Sequence, residues 1–65
     1  MKLLKLKGRI TEMGMTQLEI AKKLNLTAQS LNAKLNGRAN FNIAEVRILS
    51  DILAIDNLKE FFLIN

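Results

Sequence analysis

The sequence predicts an all-α fold, a compact bundle of short helices, and three observations carry that prediction. Between Lys2 and Met13 the apolar residues Leu3, Leu6, Ile10 and Met13 recur at three- and four-residue steps, the period of one helical stripe. Two capping-box sequences follow, Thr16 with Glu19 and Asn42 with Glu45. In each, a side-chain oxygen accepts from a helix amide while the glutamate returns to the amide of the cap. Turn signals at Gly14, Asn25 and Asn36-Gly37 punctuate the periodic stretches.

In the first helix, Lys2, Lys5, Lys7, Arg9 and Glu12 fall mostly outside the apolar stripe; its basic residues could approach phosphates, and for Lys2, Lys5 and Lys7 a solvated face is the favoured reading. Gly8 weakens the interior by up to about 1 kcal/mol relative to alanine and is expected to permit a close helix contact. Gly14 closes this helix and Met15 packs back. The second helix starts after Thr16. Ile20 and Leu24, one turn apart, share its buried face, and Ala21 beside them is small enough for a crossing helix to approach. Lys22 and Lys23 lie on the opposite side. Asn25 is the type best able, after glycine, to take positive φ at a bend. Leu26 returns to the core and Thr27 caps a third helix over residues 28–35. That helix has only Leu31 and Leu35 as large apolar residues, so its outer face, rich in Gln29, Ser30 and Asn32, has another use.

A polar connection, Asn36 to Asn40, leads to Phe41, which staples against Val46. The fourth helix runs from Ile43 to about Leu53, burying some of Val46, Leu49, Ile52 and Leu53, with Arg47 and Asp51 pairing on its wet side. Asp56 caps a last short helix anchored by Leu58, Phe61 and Phe62. The apolar surplus at the end (Phe62, Leu63 and Ile64) is expected to form a small exposed patch and a dimer contact.

Composition narrows the function classes. A chain of 65 residues buries only about 60% of the surface of its unfolded form, which fits a single domain over residues 1–65 with a modest core. The net charge is +4, a balance that favours polyanions. Lys22, Lys23, Lys34 and Arg38 sit in the central stretch, whereas Asp51, Asp56 and Glu60 sit in the last third. With no histidine or cysteine there is no disulfide framework and no thiolate metal site, and no carboxylate pair is set up for acid/base work. No catalytic residue, metal, cofactor or small-molecule ligand is expected. Lysines interrupt the N-terminal MKLLKLK and no long apolar run follows, so neither a signal peptide nor a membrane span is expected, and a cytoplasmic location is.

The stretch from Thr16 to Gly37 therefore reads as two helices joined by a tight turn, the pattern of a helix-turn-helix that places its second helix in a DNA major groove. Glutamine and asparagine amides carry a donor and an acceptor that pair bidentately with adenine there. Helix amides near Gln17 and Thr27 can grip phosphate oxygens. Arg38 can add a charge-assisted phosphate contact, with Asn36 and Asn40 as neutral donors.

Thr16-Gln17, Ile20-Ala21, Leu24, Leu26, Leu31 and Asn36-Gly37 resemble the Cro/CI-type family of helix-turn-helix domains, also called the XRE family, common in bacterial and phage repressors. The similarity runs from Leu3 through Phe62 and implies a five-helix bundle of the lambda-repressor-like type. In its shortness and its KLNGR-NF segment the chain is similar to small phage Cro-like repressors of Gram-positive bacteria. The resemblance implies that Gln17 clamps the DNA backbone at the start of the second helix. It implies that Ala28, Gln29, Asn32 and Ala33 form the base-facing side of the third, and that Thr27, Asn36 and Arg38 touch phosphates. Gln29 is the leading candidate for adenine, and Ala28 or Ala33 for a thymine methyl. Ser30 is a local hydrogen bonder or a phosphate contact; Asn32 reads a base or fills solvent. The chain departs from the family pattern at Asn25, where glycine is usual, and at Leu35 and Ile10, where many members place a glutamate–arginine pair. It departs again at Lys34, whose stem is expected to cover the core while its ammonium reaches water or DNA.

The implied function is a sequence-specific, double-stranded DNA-binding regulator, a repressor that occludes a promoter, pairing as a homodimer at least on its operator, in the bacterial cytoplasm or nucleoid. The rival is a protein-interaction module on the same scaffold, of the anti-repressor or antitoxin-partner type, working through the terminal patch. A membrane-surface peptide is disfavoured, because the central caps and turns break the long amphipathic helix it needs. If Ile10 and Leu35 replace an ion pair with apolar packing, Leu35→Ala should loosen the third helix and lower the melting temperature. Unchanged thermal stability would reject this placement.

Overall fold

A computed structural model describes residues 2–63. Five helices follow in order: α1 (Leu4–Glu12), α2 (Gln17–Lys23), α3 (Ala28–Leu35), α4 (Ile43–Ile52) and α5 (Leu58–Phe62), with no strand among the described residues. No helix among them is long and apolar enough to cross a membrane. Both capping boxes form in full. The Glu19 amide donates to Thr16 Oγ1 at 3.1 Å and the Thr16 amide to Glu19 Oε1 at 2.9 Å. The corresponding distances for Asn42 and Glu45 are 2.8 and 2.9 Å. At α5 the cap is Asn57, not Asp56: Asn57 Oδ1 accepts from the Glu60 amide at 3.2 Å. The same three-residue spacing to a glutamate that marks the other two boxes selects Asn57.

The helix C-termini share one closure. After α2, the Asn25 amide donates to Lys22 O and the Leu26 amide to Ala21 O, with Asn25 at φ 58°. Gly14 at φ 72° closes α1 in the same way, and Gly37 at φ 80° closes α3. These are Schellman closures, which satisfy orphan carbonyls and reverse the chain within a few residues. Asn25 thus serves as the glycine substitute its type suggests.

One apolar cluster holds the helices together. Leu6 and Ile10 of α1, Ile20 and Ala21 of α2, Leu31 and Leu35 of α3, Leu49 of α4 and Phe62 of α5 are all buried in it, with Leu53 and Ile55 from the turn after α4. Met15, Leu26, Phe41 and Val46 pack half-buried against it. Complete burial of Ala21 fits the close packing of α2 on α3. Ile10 and Leu35 are both in the cluster, and the Leu3 amide donates to Leu35 O at 2.9 Å, tying the start of α1 to the end of α3.

Three expectations on the periphery change. Met13 is the C-cap of α1 and leaves the apolar stripe, ending largely exposed. Arg47 and Asp51 make no ion pair. Gly8 is exposed and a Cβ built on it meets nothing within 4 Å, so no close helix contact depends on it. An added methyl there costs no sterics and removes backbone freedom from the unfolded chain. Gly8→Ala is therefore expected to stabilise the protein by roughly 0.5–1 kcal/mol, raising the urea midpoint without changing the slope. A lowered midpoint would mean that the glycine serves a contact made only in solution.

Candidate nucleic-acid interface

The geometry of α3 starts from its two leucines. Leu31 and Leu35 are fully buried and fix the rotation of the helix about its axis. At about 100° per residue, Gln29 and Ala33 then lie roughly 160° round from Leu31, with Ser30 and Asn32 on the flanks. Accordingly Ala28, Gln29, Ser30 and Asn32 are exposed and Ala33 is half-buried. Thr27 is the N-cap, its Oγ1 accepting from the Ser30 amide at 3.0 Å. Gln17 is exposed as the first residue of α2. Arg38 and Asn40 are exposed in the connection after α3, where the Arg38 amide donates to Ala33 O at 2.9 Å.

The N-termini differ in charge. Both α2 and α4 carry a glutamate in the first turn, and α3 carries none. The Glu19 carboxyl is held below the usual carboxylate range, chiefly by the Thr16 amide, then by the Thr16 hydroxyl, with smaller help from Lys23 and Lys22. It stays ionised beside the α2 amides and competes there with any incoming phosphate. At α3 only the threonine hydroxyl occupies the helix end.

Asn36 is placed differently from expectation. Its Nδ2 donates to Asn32 O at 2.9 Å and to Asn32 Oδ1 at 2.8 Å, while its own Oδ1 accepts from Lys7 Nζ at 3.1 Å. Both side-chain protons of Asn36 are thus taken up within the protein, so in this arrangement it holds no free amide donor for a phosphate. Its effect falls on Asn32, whose amide is orientated by a relay that begins on α1. The four-residue spacing of Asn32 and Asn36 is the sequence signal for that link.

Lys34 is also corrected. Its side chain is largely buried, and its ammonium turns inward to pair with Glu45 at 2.5 Å, the two side chains only 15% and 9% exposed. The cation also lies 5.7 Å from the centroid of the Phe41 ring. The attraction of a charged partner and an aromatic face outcompetes water, so Lys34 does not face phosphate. Burial pushes the Glu45 carboxyl up, but the hydrogen bond from Lys34, the Asn42 amide and the lysine charge together hold it below the usual range.

Phe62 does not join an exposed patch. It is 6% exposed and packs edge-on against Phe41, ring centroids 5.6 Å apart at 87°. Leu63 is exposed, and Ile64 lies outside the described residues. The surface expected to serve a dimer or protein partner is thus reduced to Leu63 among the described residues, and Phe62→Asp would test the core.

Sequence reasoning leaves unassigned the Arg9 clamp. Arg9 Nε donates to Leu53 O at 2.8 Å and its Nη2 to Ala54 O at 3.0 Å, while Nη1 pairs with Glu12 at 2.7 Å. An arginine on the C-cap and following carbonyls satisfies groups left open in the turn where α4 ends. Lys5 pairs with Glu60, and Lys7 holds Asn36, so three of the basic residues of α1 serve the fold. Among the described residues, no buried side-chain polar atom lacks a partner.

A family model described as "Protein of unknown function (DUF739)" matches residues 2–64. The chain belongs to that family. No curated protein and no solved structure matches the DUF739 chain significantly. The match covers all five helices and the whole of the α3 surface.

For the DUF739 chain the Lys34–Glu45 pair makes an acid-sensitivity prediction. A carboxyl whose pKa is depressed by folding adds stability above its ordinary value of 4.5, and that stability is lost as pH falls through the lower folded value. The melting temperature should therefore drop on acidification below about pH 4.5. Glu45→Gln should cost roughly 3–5 kcal/mol at neutral pH, since it strands the lysine, and should flatten the acid limb. A variant with the wild-type acid profile would show that the pair is not its source.

Proposed function

We propose that the chain is a sequence-specific, double-stranded DNA-binding transcriptional regulator, with α2 and α3 acting as a helix-turn-helix in a lambda-repressor-like bundle. The observation that carries this reading is the outer face of α3: amide and hydroxyl side chains stand exposed on a helix braced from behind by two fully buried leucines. A helix about 10–12 Å across fits a major groove about 12 Å wide. Gln29 is the adenine reader, Asn32 a second amide orientated by Asn36, and Ala28 and Ala33 offer methyl surface to thymine.

Phosphate contacts fall to Thr27, Ser30, Arg38 and Asn40, and to Gln17 only through its side-chain amide, since Glu19 occupies the helix end there; Lys34 and Asn36 are removed from that set. The uncharged N-terminal turn of α3 supports an approach to phosphate, as does the net charge of +4. With few polar base readers, part of the specificity rests on methyl contacts and DNA shape. The longest dimension, 27 Å, lets one copy reach one half-site, because half-sites lie about 34 Å apart. Two copies on a symmetric operator, blocking a promoter in the manner of a small phage repressor in its host cytoplasm, complete the proposal.

Selection of bound fragments from a random duplex library, repeated across a salt series, tests it. A consensus with two half-sites is expected. Gln29→Ala should weaken binding by roughly 1–3 kcal/mol and relax specificity at one position. Arg38→Ala should weaken all sequences alike and reduce the salt slope by about one. No enrichment at low salt, or enrichment indifferent to both substitutions, would end the DNA reading.

A further inference from the structure

We propose that two copies of this chain pair through the outer face of α4. Ile43, Arg47 and Asp51 follow at four-residue steps and so form one stripe on that helix. With Val46, Ile55 and Leu58 they line a shallow groove of about 330 Å³. Ile43 is 80% exposed, and Leu58 at the far rim is also exposed. Ser50 and Asp56 also line the groove, and an exposed isoleucine next to its apolar part lacks the partner that would make its burial favourable.

The charges of the stripe select a second copy as that partner. Arg47 and Asp51 are exposed, one turn apart, and paired neither with each other nor with any other described residue. A two-fold contact uses the same patch twice, so the patch must complement itself. Antiparallel docking of α4 on its copy sets each Arg47 against Asp51 of the other chain. It also carries each Ile43 toward the opposite end of the other groove, where Ile55 and Leu58 lie. Every charge on the stripe then meets its opposite, and the protruding isoleucine fills the groove.

None of these residues belongs to α2 or α3, so pairing leaves the outer face of α3 uncovered. The contact does not rest on the DNA reading and can be tested without a duplex. It moves the dimer surface from the C-terminal residues, where Phe62 is buried, to a helix face that is open.

Sedimentation equilibrium of the full chain at low salt, from about 10 µM to about 1 mM, provides the test. A reversible dimer is expected. Ile43→Asp, Arg47→Asp and Asp51→Arg should each weaken association about tenfold or more, since the two charge reversals set like charges opposite one another. The double variant Arg47→Asp/Asp51→Arg should restore it, because the reversed pair is again complementary. All three side chains are exposed, and unchanged circular dichroism melts will show that the variants fold. A chain monomeric throughout overturns the proposal. So does a dimer that ignores these substitutions, or one that Leu63→Asp dissociates while the α4 variants do not.

Discussion

The Lys34 ammonium, 2.5 Å from the Glu45 carboxylate, fastens the last turn of α3 to the first turn of α4. Both groups give up most of their water to make this contact, which is tolerable only because each has further partners. One oxygen of Glu45 also accepts from the Asn42 amide, so a single carboxylate caps α4 and anchors α3. The lysine lies over Phe41, and Phe41 meets Phe62 edge-on, which extends the same constraint to α5. With Leu31, Lys34 and Leu35 all turned inward, Gln29 has only the outward direction left. The exposed face of α3 is thus a consequence of what its other face holds.

A second fastening lies at the opposite end of α4. Ala54 closes that helix at φ 52°, a conformation that costs an L-residue roughly 1–2 kcal/mol relative to glycine. The closure persists because it is fixed from two sides. The Ile55 amide donates back to Ser50 O, and the Arg9 guanidinium on α1 holds the carbonyls of Leu53 and Ala54. Arg9 also lies over the ring of Phe61, so the groups that hold the strained turn hold α5 as well. Between them, Lys34 and Arg9 bind both ends of α4 to the rest of the bundle, and a small apolar core is supplemented by directional contacts.

Local features are legible in the sequence because the physics that fixes them is local. Thr16, Thr27 and Asn42 cap helices at the residues their spacing indicates, and Asn25 takes the left-handed conformation its type allows. Buried leucines and isoleucines recur at helical steps, so the rotation of α3 can also be read before any packing is known. The partners of charged groups cannot. Lys34 finds Glu45 eleven residues away, and Arg9 reaches carbonyls more than forty residues away, through helix placements that no window of sequence contains. Phe62 illustrates the same limit: a terminal FFLIN segment is apolar whichever phenylalanine turns inward, and only the position of Phe41 decides between them.

The division of labour among the cations bears on the proposed interface. Lys5, Arg9 and Lys34 are each paired with a carboxylate, which offsets their charge, whereas Lys7 meets only the neutral Asn36 amide and keeps its own. Arg38 stands exposed just beyond α3, while Lys22 and Lys23 stand exposed at the end of α2. Lys2, Arg47 and Lys59 are exposed as well, so the unpaired positive charge includes the helix pair but is not confined to it. At the same pair, Glu19 protects its own helix start from anions, whereas Ser30 occupies the corresponding position of α3 with no charge. A phosphate approaching this surface meets repulsion at one helix end and open amides at the other, which biases its docking toward α3.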